Sequence, residues 1–401
     1  MNWMIDPGKY QDSLSLYLHI PFCRTRCTYC AFNTYTNAET LIEDYVATMC
    51  HELRWLGRST RQPIHTIYFG GGTPSMLTAE QVGRIVRTCR EVFNVTLDAE
   101  ITLEANPGAI ADGYLAELRT VGANRLSLGM QSAHATELKL FARQHDVVAV
   151  ADAVTDARRS GFDNVSLDLI FGVPHQTLAM WHESVETALA LHPDHLSMYA
   201  LILESGTAMT RSVVSGALPS PDDDLAADMY ELADTIAQDA GLVQYEISNW
   251  ARPGAECQHN LQYWRNAPYL GVGAGAHGYA AGTRYEIVRP IQRYIDLAAG
   301  QDAPLPYPLM PSVERCETID TAGAMAEHMM TGLRLVREGV SISGFERRFG
   351  VPIDQIYGEA ITRLIAYELL YRDGDALKLT PPARLLSNQV FLQFMGDEAT
   401  A

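Results

Sequence analysis

Short apolar runs of strand length recur along the first half of the chain, and each is followed by a longer stretch with helical periodicity. The strand-like runs cover residues 14–20, 64–69, 99–104, 125–129, 165–171 and 195–202. The helical stretches between them cover residues 41–56, 79–92, 113–121, 147–160 and 178–191. Each is long enough to return the chain for the next parallel strand in a right-handed βαβ step. The pattern therefore predicts an α/β fold built on six parallel strands.

Polar side chains or glycines stand where these predicted strands end. They are Cys23, Gly70, Gly71, Gly72, Glu104, Gln131, Asp168 and Tyr199. Parallel strands of an α/β fold end at one common edge, and that edge is where binding sites are built. The sequence thus predicts one shared site at this edge. Ordinary loop polarity is the alternative for any single position.

The second half of the chain is divided by two segments rich in turn-forming residues, at 216–224 and 304–311. They predict three domains, at residues 1–215, 216–305 and 306–401. In the last domain, helical patterns at 322–337, 342–349 and 352–371 precede a hairpin at 370–379 with an Asp-Gly turn. Three helices and a hairpin predict a small helical, winged-helix-like end domain. Because it is not basic, packing or partner recognition is favoured over DNA binding.

The charge balance argues against nucleic acid as a partner. Lys and Arg total 30 against 48 Asp and Glu, which gives a net charge of -18, and no long basic run is present. No apolar stretch has the length of a membrane span, and the N-terminus does not resemble a signal peptide, so a cytoplasmic location is expected. The odd count of seven cysteines also favours a reducing compartment. Cys50, Cys89 and Cys316 lie in helical patterns and are expected to be inert core thiols.

The remaining chemistry is concentrated in Cys23, Cys27 and Cys30, which follow the first predicted strand in a C-x3-C-x2-C run. Thiolates suit zinc or iron–sulfur clusters, and a [4Fe-4S] cube usually takes four of them. With three close cysteines, such a cube keeps one iron open to another ligand. The alternatives are a zinc site completed by His19 or His51, or three reduced core thiols.

A glycine-rich segment, Gly-Gly-Gly-Thr-Pro at residues 70–74, directly follows the second predicted strand. Glycines there allow positive φ and a close approach of the backbone to a ligand. The segment lacks the Gly-Lys-Ser/Thr ending of a P-loop, so a phosphate site is not indicated. A tight turn between strand and helix is the alternative.

The segment YLHIPFCRTRCTYC together with GGGTP resembles the radical S-adenosylmethionine (SAM) superfamily, specifically its HemN-like branch, and the similarity spans nearly the whole chain. The resemblance implies a partial (β/α)6 parallel barrel with a C-terminal elaboration. It also implies a [4Fe-4S] cluster on the three cysteines and SAM on the open iron. The cofactor-binding positions implied are Tyr17, Gly71, Gly72, Thr73, Glu104, Gln131, Arg143 and Asp168. No catalytic residue is assigned.

Asp168 interrupts an apolar run, and a buried carboxylate without a partner is costly. We therefore expect it to be paired with Arg143 or with the ligand. A structural ion pair between these two residues is the alternative reading of both positions.

Two features distinguish members of the branch. Its coproporphyrinogen decarboxylases carry a further cysteine two residues after the third ligand, where this chain has Phe32, and they have a longer N-terminal extension. The motif H-N-x-x-Y-W at residues 259–264 resembles instead the haem chaperones of the branch. That resemblance implies His259 as a haem ligand. A hydrogen-bonded core histidine is the alternative, and His277 is open to the same two readings.

The function implied is that of a haem chaperone, which binds a [4Fe-4S] cluster, SAM and haem and passes haem to acceptor proteins. A radical SAM coproporphyrinogen III decarboxylase of porphyrin biosynthesis is the alternative, and a cluster-bearing scaffold without haem is a third reading. A homodimer and peripheral contact with a membrane both stay open at this point.

Overall fold

The first half of the chain forms alternating strands and helices. In a computed structural model, residues 13–298 and 305–395 are described. The first six strands are β1 (Leu14–Ile20), β2 (Pro63–Gly71), β3 (Asn94–Ala105), β4 (Arg125–Gln131), β5 (Asn164–Phe171) and β6 (His195–Ala200). The helices between them are α1 (Ile42–Gly57), α2 (Ala79–Val92), α3 (Tyr114–Val121), α4 (Ala135–Leu140), α5 (Val147–Arg159) and α6 (Leu178–Ala190). Neighbouring strands from β1 to β6 pair in parallel, so the predicted α/β architecture is confirmed.

The segment after β6 adds strands to both edges of this sheet. Its elements are α7 (Ala208–Val214), α8 (Asp223–Asp239), β7 (Val243–Glu246), β8 (Asn249–Ala251), α9 (Gln258–Trp264), β9 (Tyr269–Val272), β10 (His277–Ala280), β11 (Thr283–Ile287), α10 (Ile291–Ala298) and β12 (Val313–Thr318). The complete strand order is β12-β11-β10-β9-β1-β2-β3-β4-β5-β6-β8-β7. The result is an open sheet with parallel strands in the middle and antiparallel strands at each edge.

The core lies between the parallel strands and the helices that connect them. Leu14, Leu16, Leu18 and Ile20 of β1 are all fully buried, as expected for a central parallel strand covered on both faces. Apolar residues from β1 to Met310 belong to one continuous cluster. The large number of buried apolar side chains holds the strands in place. The loops that follow the strands therefore start from defined positions.

The C-terminal segment has its own smaller core. It comprises α11 (Thr321–Gly332), β13 (Val340–Ser341), α12 (Ile342–Phe349), α13 (Ile353–Ala366), β14 (Leu370–Asp373), β15 (Ala376–Leu379) and α14 (Ser387–Leu392). The predicted hairpin is present as β14 and β15, which pair with β13 in a sheet of three strands. Its buried apolar residues, from Met325 to Phe394, form a cluster separate from the large core. The division into three domains stays a prediction, and its second boundary begins at Pro304, outside the described residues.

Two parts of the second half differ from what their local sequence suggests. The glycine-dense stretch at 270–278 has the composition of a loop, whereas Tyr269–Val272 is strand β9 and pairs in parallel with β1. A Cβ on Gly271 would lie 1.9 Å from the carbonyl oxygen of His277, so close strand packing explains that glycine. Cys316 is exposed and lies on β12, not on a helix, because Val313–Thr318 is an edge strand with mostly exposed side chains. Cys50 and Cys89 are buried on helices as expected.

No helix in the described ranges is long and apolar enough to cross a bilayer.

Candidate cluster and cofactor site

A cavity of about 600 Å³ opens at the carboxyl ends of the parallel strands. His277, the second candidate haem contact, does not line this cavity, but every residue that the resemblance implied for cluster and cofactor does, together with His259. These residues are Tyr17, Cys23, Cys27, Cys30, Gly71, Gly72, Thr73, Glu104, Gln131, Arg143, Asp168 and His259. Tyr199, at the end of β6, lines it as well, so the polar residues at the strand ends, apart from Gly70, meet at one cavity.

The cysteine loop is held in place by backbone hydrogen bonds at both of its ends. The amide of Cys23 donates to the carbonyl of Tyr35 at 2.9 Å, and the Tyr35 amide donates to Pro21 at 2.8 Å. Further along the loop, the Thr28 hydroxyl donates to the carbonyl of Leu140 at 2.7 Å. Cys23, Cys27 and Cys30 therefore reach the cavity from a loop with a defined backbone. All three thiols are free of disulfides.

Neither histidine proposed for a zinc site joins these cysteines. His19 Nε2 donates to the Asn33 carbonyl at 2.9 Å, and its Nδ1 accepts from the Tyr17 hydroxyl at 3.0 Å, so both ring nitrogens are occupied. His51 is exposed on α1 and does not line the cavity. Within residues 13–298 and 305–395, no three His, Cys, Asp or Glu side chains converge on a position for a single ion. The ligands of a [4Fe-4S] cube bind separate irons, so a cluster does not require the three thiols to converge on one ion.

The glycine-rich loop is hydrogen-bonded to the end of β1 and to the start of the cysteine loop. The Gly72 amide donates to Ile20 at 2.9 Å, the Thr73 amide donates to Phe22 at 2.8 Å, and the Thr73 hydroxyl reaches Cys23 Sγ at 3.5 Å. Gly71 has a φ of +112°, and a Cβ there would lie 2.4 Å from the His19 ring. These glycines are required by close packing against β1 and by one positive φ. Only Gly71 of the three has a positive φ.

Two half-buried carboxylates, Glu104 and Asp168, face the cavity. Glu104 accepts from the Tyr68 hydroxyl at 2.8 Å and from the Gly71 amide at 3.2 Å, and burial raises the pKa of Glu104 to about 7. Asp168 accepts from the Ser127 hydroxyl at 3.1 Å and 3.2 Å. Burial raises the pKa of Asp168 too. Both groups are acceptors held ready for donors or a cation from a ligand.

Arg143 is the counterpart of these acids, but it forms no ion pair with Asp168 in the described part of the chain. Its guanidinium donates to the Tyr29 hydroxyl at 3.0 Å, and its buried Nε has no protein partner among the described residues. Asp168 uses Ser127 as its direct partner. The expected pairing of Asp168 with Arg143 is therefore absent, and both groups keep hydrogen-bonding capacity for a ligand.

Arg125 is a site residue that sequence reasoning missed. It begins β4, is 2% exposed and lines the cavity with Ser127 and Ser197. Its Nε has no partner among the described residues. An arginine at the start of the apolar run 125–131 was the signal available, because a buried cation needs compensating groups. Tyr29 and Tyr68 were also missed, and single tyrosines give no such signal.

The segment that carries His259 is anchored to the sheet by a carboxylate. Glu100 on β3 accepts from the amides of Gln258 at 3.0 Å and His259 at 3.1 Å. These are the first residues of α9, whose free amides a carboxylate stabilises. This contact fixes the start of the helix against the sheet.

The His259 ring is only 1% exposed. Its Nδ1 bonds Thr66 Oγ1 at 2.8 Å, and its Nε2 bonds the Tyr263 hydroxyl at 2.9 Å. Because the Thr66 hydroxyl donates to Ser15, it accepts from Nδ1, so the lone pair lies on Nε2. Burial lowers the pKa of His259 to about 3, and the ring is neutral.

The donor set fits the groups implied by the sequence. Three free thiols offer soft ligands for a cluster, while Glu104, Asp168 and the unpaired Nε of Arg143 offer acceptors and a cation. The volume of about 600 Å³ is within the range of roughly 300–1,000 Å³ typical of small-molecule sites.

Comparison with known proteins places this fold and site in one class. The radical SAM superfamily model matches residues 17–188, and the HemN C-terminal domain model matches residues 320–386. The structure of coproporphyrinogen III oxidase (HemN) from Escherichia coli superposes with a TM-score of 0.82 at 23% identity, covering 97% of this chain and 91% of that one. That likeness concerns the fold. The chain is a radical SAM protein.

Its relatives are more specific. Heme chaperone HemW of Bacillus subtilis is 38% identical over 96% of this chain and 99% of the relative. Heme chaperone HemW of Lactococcus lactis is 36% identical over 97% of this chain and 99% of the relative. The protein of the same name from Mycobacterium tuberculosis is 38% identical over 95% and 94%. The chain belongs to the HemW family.

Proposed function

We propose that this chain is a haem chaperone that holds a [4Fe-4S] cluster and SAM, binds haem and transfers it to acceptor proteins. The observation that carries the proposal is the position of the His259 segment. This segment lies in the wall of the same cavity that contains the three cysteines. Membership of the HemW family supports the same function. We expect the protein to act in the cytoplasm.

Cys23, Cys27 and Cys30 would hold the cluster. A cluster on these three thiolates would supply one iron without a protein ligand, at which SAM would bind. Glu104 and Asp168 would accept hydrogen bonds from the cofactor, and Arg143 would donate to it with its unpaired Nε. The remaining contacts would come from Tyr17, Gly71, Gly72, Thr73 and Gln131.

His259 would ligate the haem iron. Neutral imidazole is the form that binds metals, and burial keeps this ring neutral. The lone pair on Nε2 is occupied by the Tyr263 hydroxyl at 2.9 Å, so ligation requires that hydroxyl to leave Nε2. Both residues belong to the H-N-x-x-Y-W motif. Tyr263 would therefore control access to the ligand, and His259 would release haem when an acceptor offers better ligation.

The decarboxylase alternative is weaker. Phe32 occupies the position where decarboxylases of the branch carry a further cysteine. It is 66% exposed and lines the cavity, so an apolar ring stands where a thiol would be required.

The test uses protein whose cluster has been reconstituted without oxygen. Haem is titrated into wild type and His259→Ala, with and without SAM, and the Soret band is recorded. We expect His259→Ala to change the spectrum and weaken binding, and His51→Ala, at an exposed position, to behave as wild type. Equal spectra for wild type and His259→Ala would remove His259 as the ligand. Steady decarboxylation of coproporphyrinogen III by the same preparation would overturn the chaperone function.

A further inference from the structure

A second cavity, of about 450 Å³, lies directly beside the first. The two share Tyr17, Phe32 and Tyr263 among their lining residues. Tyr263 is also the residue that bonds His259 Nε2. A ligand bound at His259 is therefore within reach of both cavities.

The second cavity is positively charged in a strongly acidic protein. Its lining in the described part of the chain contains Arg26, Arg289, His277 and His19, but no aspartate or glutamate. Among the described residues, Glu286 is the carboxylate that pairs with these groups, at 3.3 Å from Arg289 and 3.9 Å from His277. Arg26 and Arg289 carry two positive charges and Glu286 carries one negative charge, so these three side chains have a net charge of +1. The whole chain has a net charge of -18. A local cationic site of this kind attracts anions.

The backbone around Arg289 is held in a defined position. Asn33 Nδ2 donates to the carbonyls of Arg289 and Ala274, each at 2.9 Å. The Tyr35 hydroxyl donates to the same Arg289 carbonyl at 3.1 Å. These bonds tie Arg289 to the segment that directly follows the cluster cysteines. The site is therefore built by two parts of the chain that are 254 and 256 residues apart.

Both guanidinium groups can accept an anionic partner. Arg26 is exposed, forms no ion pair with any described residue and donates one hydrogen bond, to the Cys30 carbonyl at 3.4 Å. The Arg289 side chain is 66% exposed and contacts Glu286 through Nε alone, which leaves its terminal nitrogens for a ligand. Arginine forks match carboxylates well because two parallel hydrogen bonds can form.

Phe32 connects this cationic site with the first cavity. Its ring lines both cavities and is 66% exposed, so its apolar face is accessible to a ligand from either cavity. An aromatic surface beside two arginines suits a planar apolar ligand that carries carboxylates on one edge. Haem has this chemistry, with an apolar macrocycle and two propionates on one side.

We propose that the second cavity is the carboxylate subsite for haem, in which Arg26 and Arg289 bind the two propionates while the macrocycle lies against Phe32. This inference rests on the proposed haem-binding function and adds the residues that orient the ligand. It fixes which edge of the macrocycle faces the cysteine loop.

The test compares haem with its dimethyl ester, in which both carboxylates are blocked. Each ligand is titrated by absorbance into wild type, into the double variant Arg26→Gln/Arg289→Gln and into the control Arg87→Gln, an exposed arginine on α2. We expect the double variant to bind haem about tenfold more weakly than wild type. We also expect wild type to prefer haem over the ester by a similar factor and the double variant to lose that preference. Arg87→Gln should match wild type.

The outcomes separate this inference from the proposed function. If wild type and the double variant bind haem equally, the subsite is overturned and the chaperone function stands. If the double variant instead loses SAM binding, measured by calorimetry on cluster-loaded protein, the second cavity serves the cofactor and the inference is overturned. If wild type binds neither haem nor ester, the proposed function fails and the inference fails with it.

Discussion

The ring of Tyr68 stacks on the ring of His259, with centroids 4.9 Å apart and planes inclined by 23°. The hydroxyl of the same tyrosine donates to Glu104 at 2.8 Å. Tyr68 thus contacts both His259, the proposed haem ligand, and Glu104, which is proposed to bind SAM. Two ligands whose sites share a side chain alter each other's affinity through a common coupling free energy.

Tyr68→Phe tests this link, because it keeps the stack on His259 and removes the hydrogen bond to Glu104. We expect SAM binding to weaken and the effect of SAM on haem affinity to shrink toward none. Haem dissociation constants measured with and without SAM give the coupling directly. Tyr114→Phe is the matched control, since its hydroxyl bonds the Leu77 carbonyl at 2.8 Å and does not line the cavity. An unchanged coupling in Tyr68→Phe would show that the contact is not used.

The pH dependence of SAM binding follows from Glu104, whose pKa burial raises to about 7. The amino group and the ribose hydroxyls of SAM are hydrogen-bond donors, so they favour the ionised carboxylate. Ionisation increases as pH rises through 7, and we expect the SAM dissociation constant to fall about tenfold between pH 6 and pH 8. Glu104→Gln should bind more weakly and show a flatter profile, with Glu80→Gln, exposed on α2, as control. A wild-type profile that is flat or tightens toward acid would contradict this role.

Removal of single cysteines tests the cluster. We expect Cys23→Ala, Cys27→Ala and Cys30→Ala each to lose most of the iron and acid-labile sulfide after anaerobic reconstitution, because each thiolate would bind a separate iron. Cys316→Ala, at the exposed position on β12, should retain both. Metal analysis and absorbance provide the measurement. Stoichiometric zinc without sulfide in wild type would remove the cluster and the functions that depend on it.

The free energy of unfolding should also vary with pH through Glu52. This residue is fully buried on α1 and accepts a hydrogen bond from the Ser312 hydroxyl. Burial raises the pKa of Glu52 from 4.5 to about 7. A raised pKa means that the folded state holds the proton more tightly than the unfolded state. The resulting stability is complete below pH 4.5 and is lost as pH rises through 7. Full ionisation costs about 3 kcal/mol by this linkage.

Glu52→Gln removes that dependence while keeping an acceptor for Ser312. We expect the variant to gain stability relative to wild type as pH rises from 5 to 8, measured by urea unfolding at each pH. Glu80→Gln should follow wild type at every pH. A constant difference between Glu52→Gln and wild type over this interval would refute the raised pKa.

The site could be located from sequence because of a property of parallel sheets. The runs that became β1 to β6 are recognisable from local apolar pattern, and all six strands place their carboxyl ends at one edge. Cys23, Glu104, Gln131 and Asp168 could therefore be assigned to one cavity without any tertiary contact being known. The run of three cysteines is also local, and it predicts a metal or iron–sulfur site at this edge.

Contacts between distant parts of the chain were not accessible in this way. β9 lies beside β1, although the glycines in its sequence are typical of a loop. Position 271 must be glycine because the His277 carbonyl of a neighbouring segment packs against it, and the local sequence does not show that contact. Arg143 pairs with Tyr29, which is 114 residues away, and not with the acid suggested by charge. These choices depend on packing geometry rather than on local pattern.

The amino-acid sequence by itself determined the parallel α/β architecture and the edge of the sheet at which the three cysteines lie, since periodicity and spacing are local properties of a chain. Only the tertiary structure decided the surroundings of His259, whose ring hydrogen-bonds Thr66, a residue 193 positions away in the sequence. It also decided that Arg26 and Arg289 line the same second cavity. Such neighbours are set by how the helices and strands pack together. No local rule specifies them.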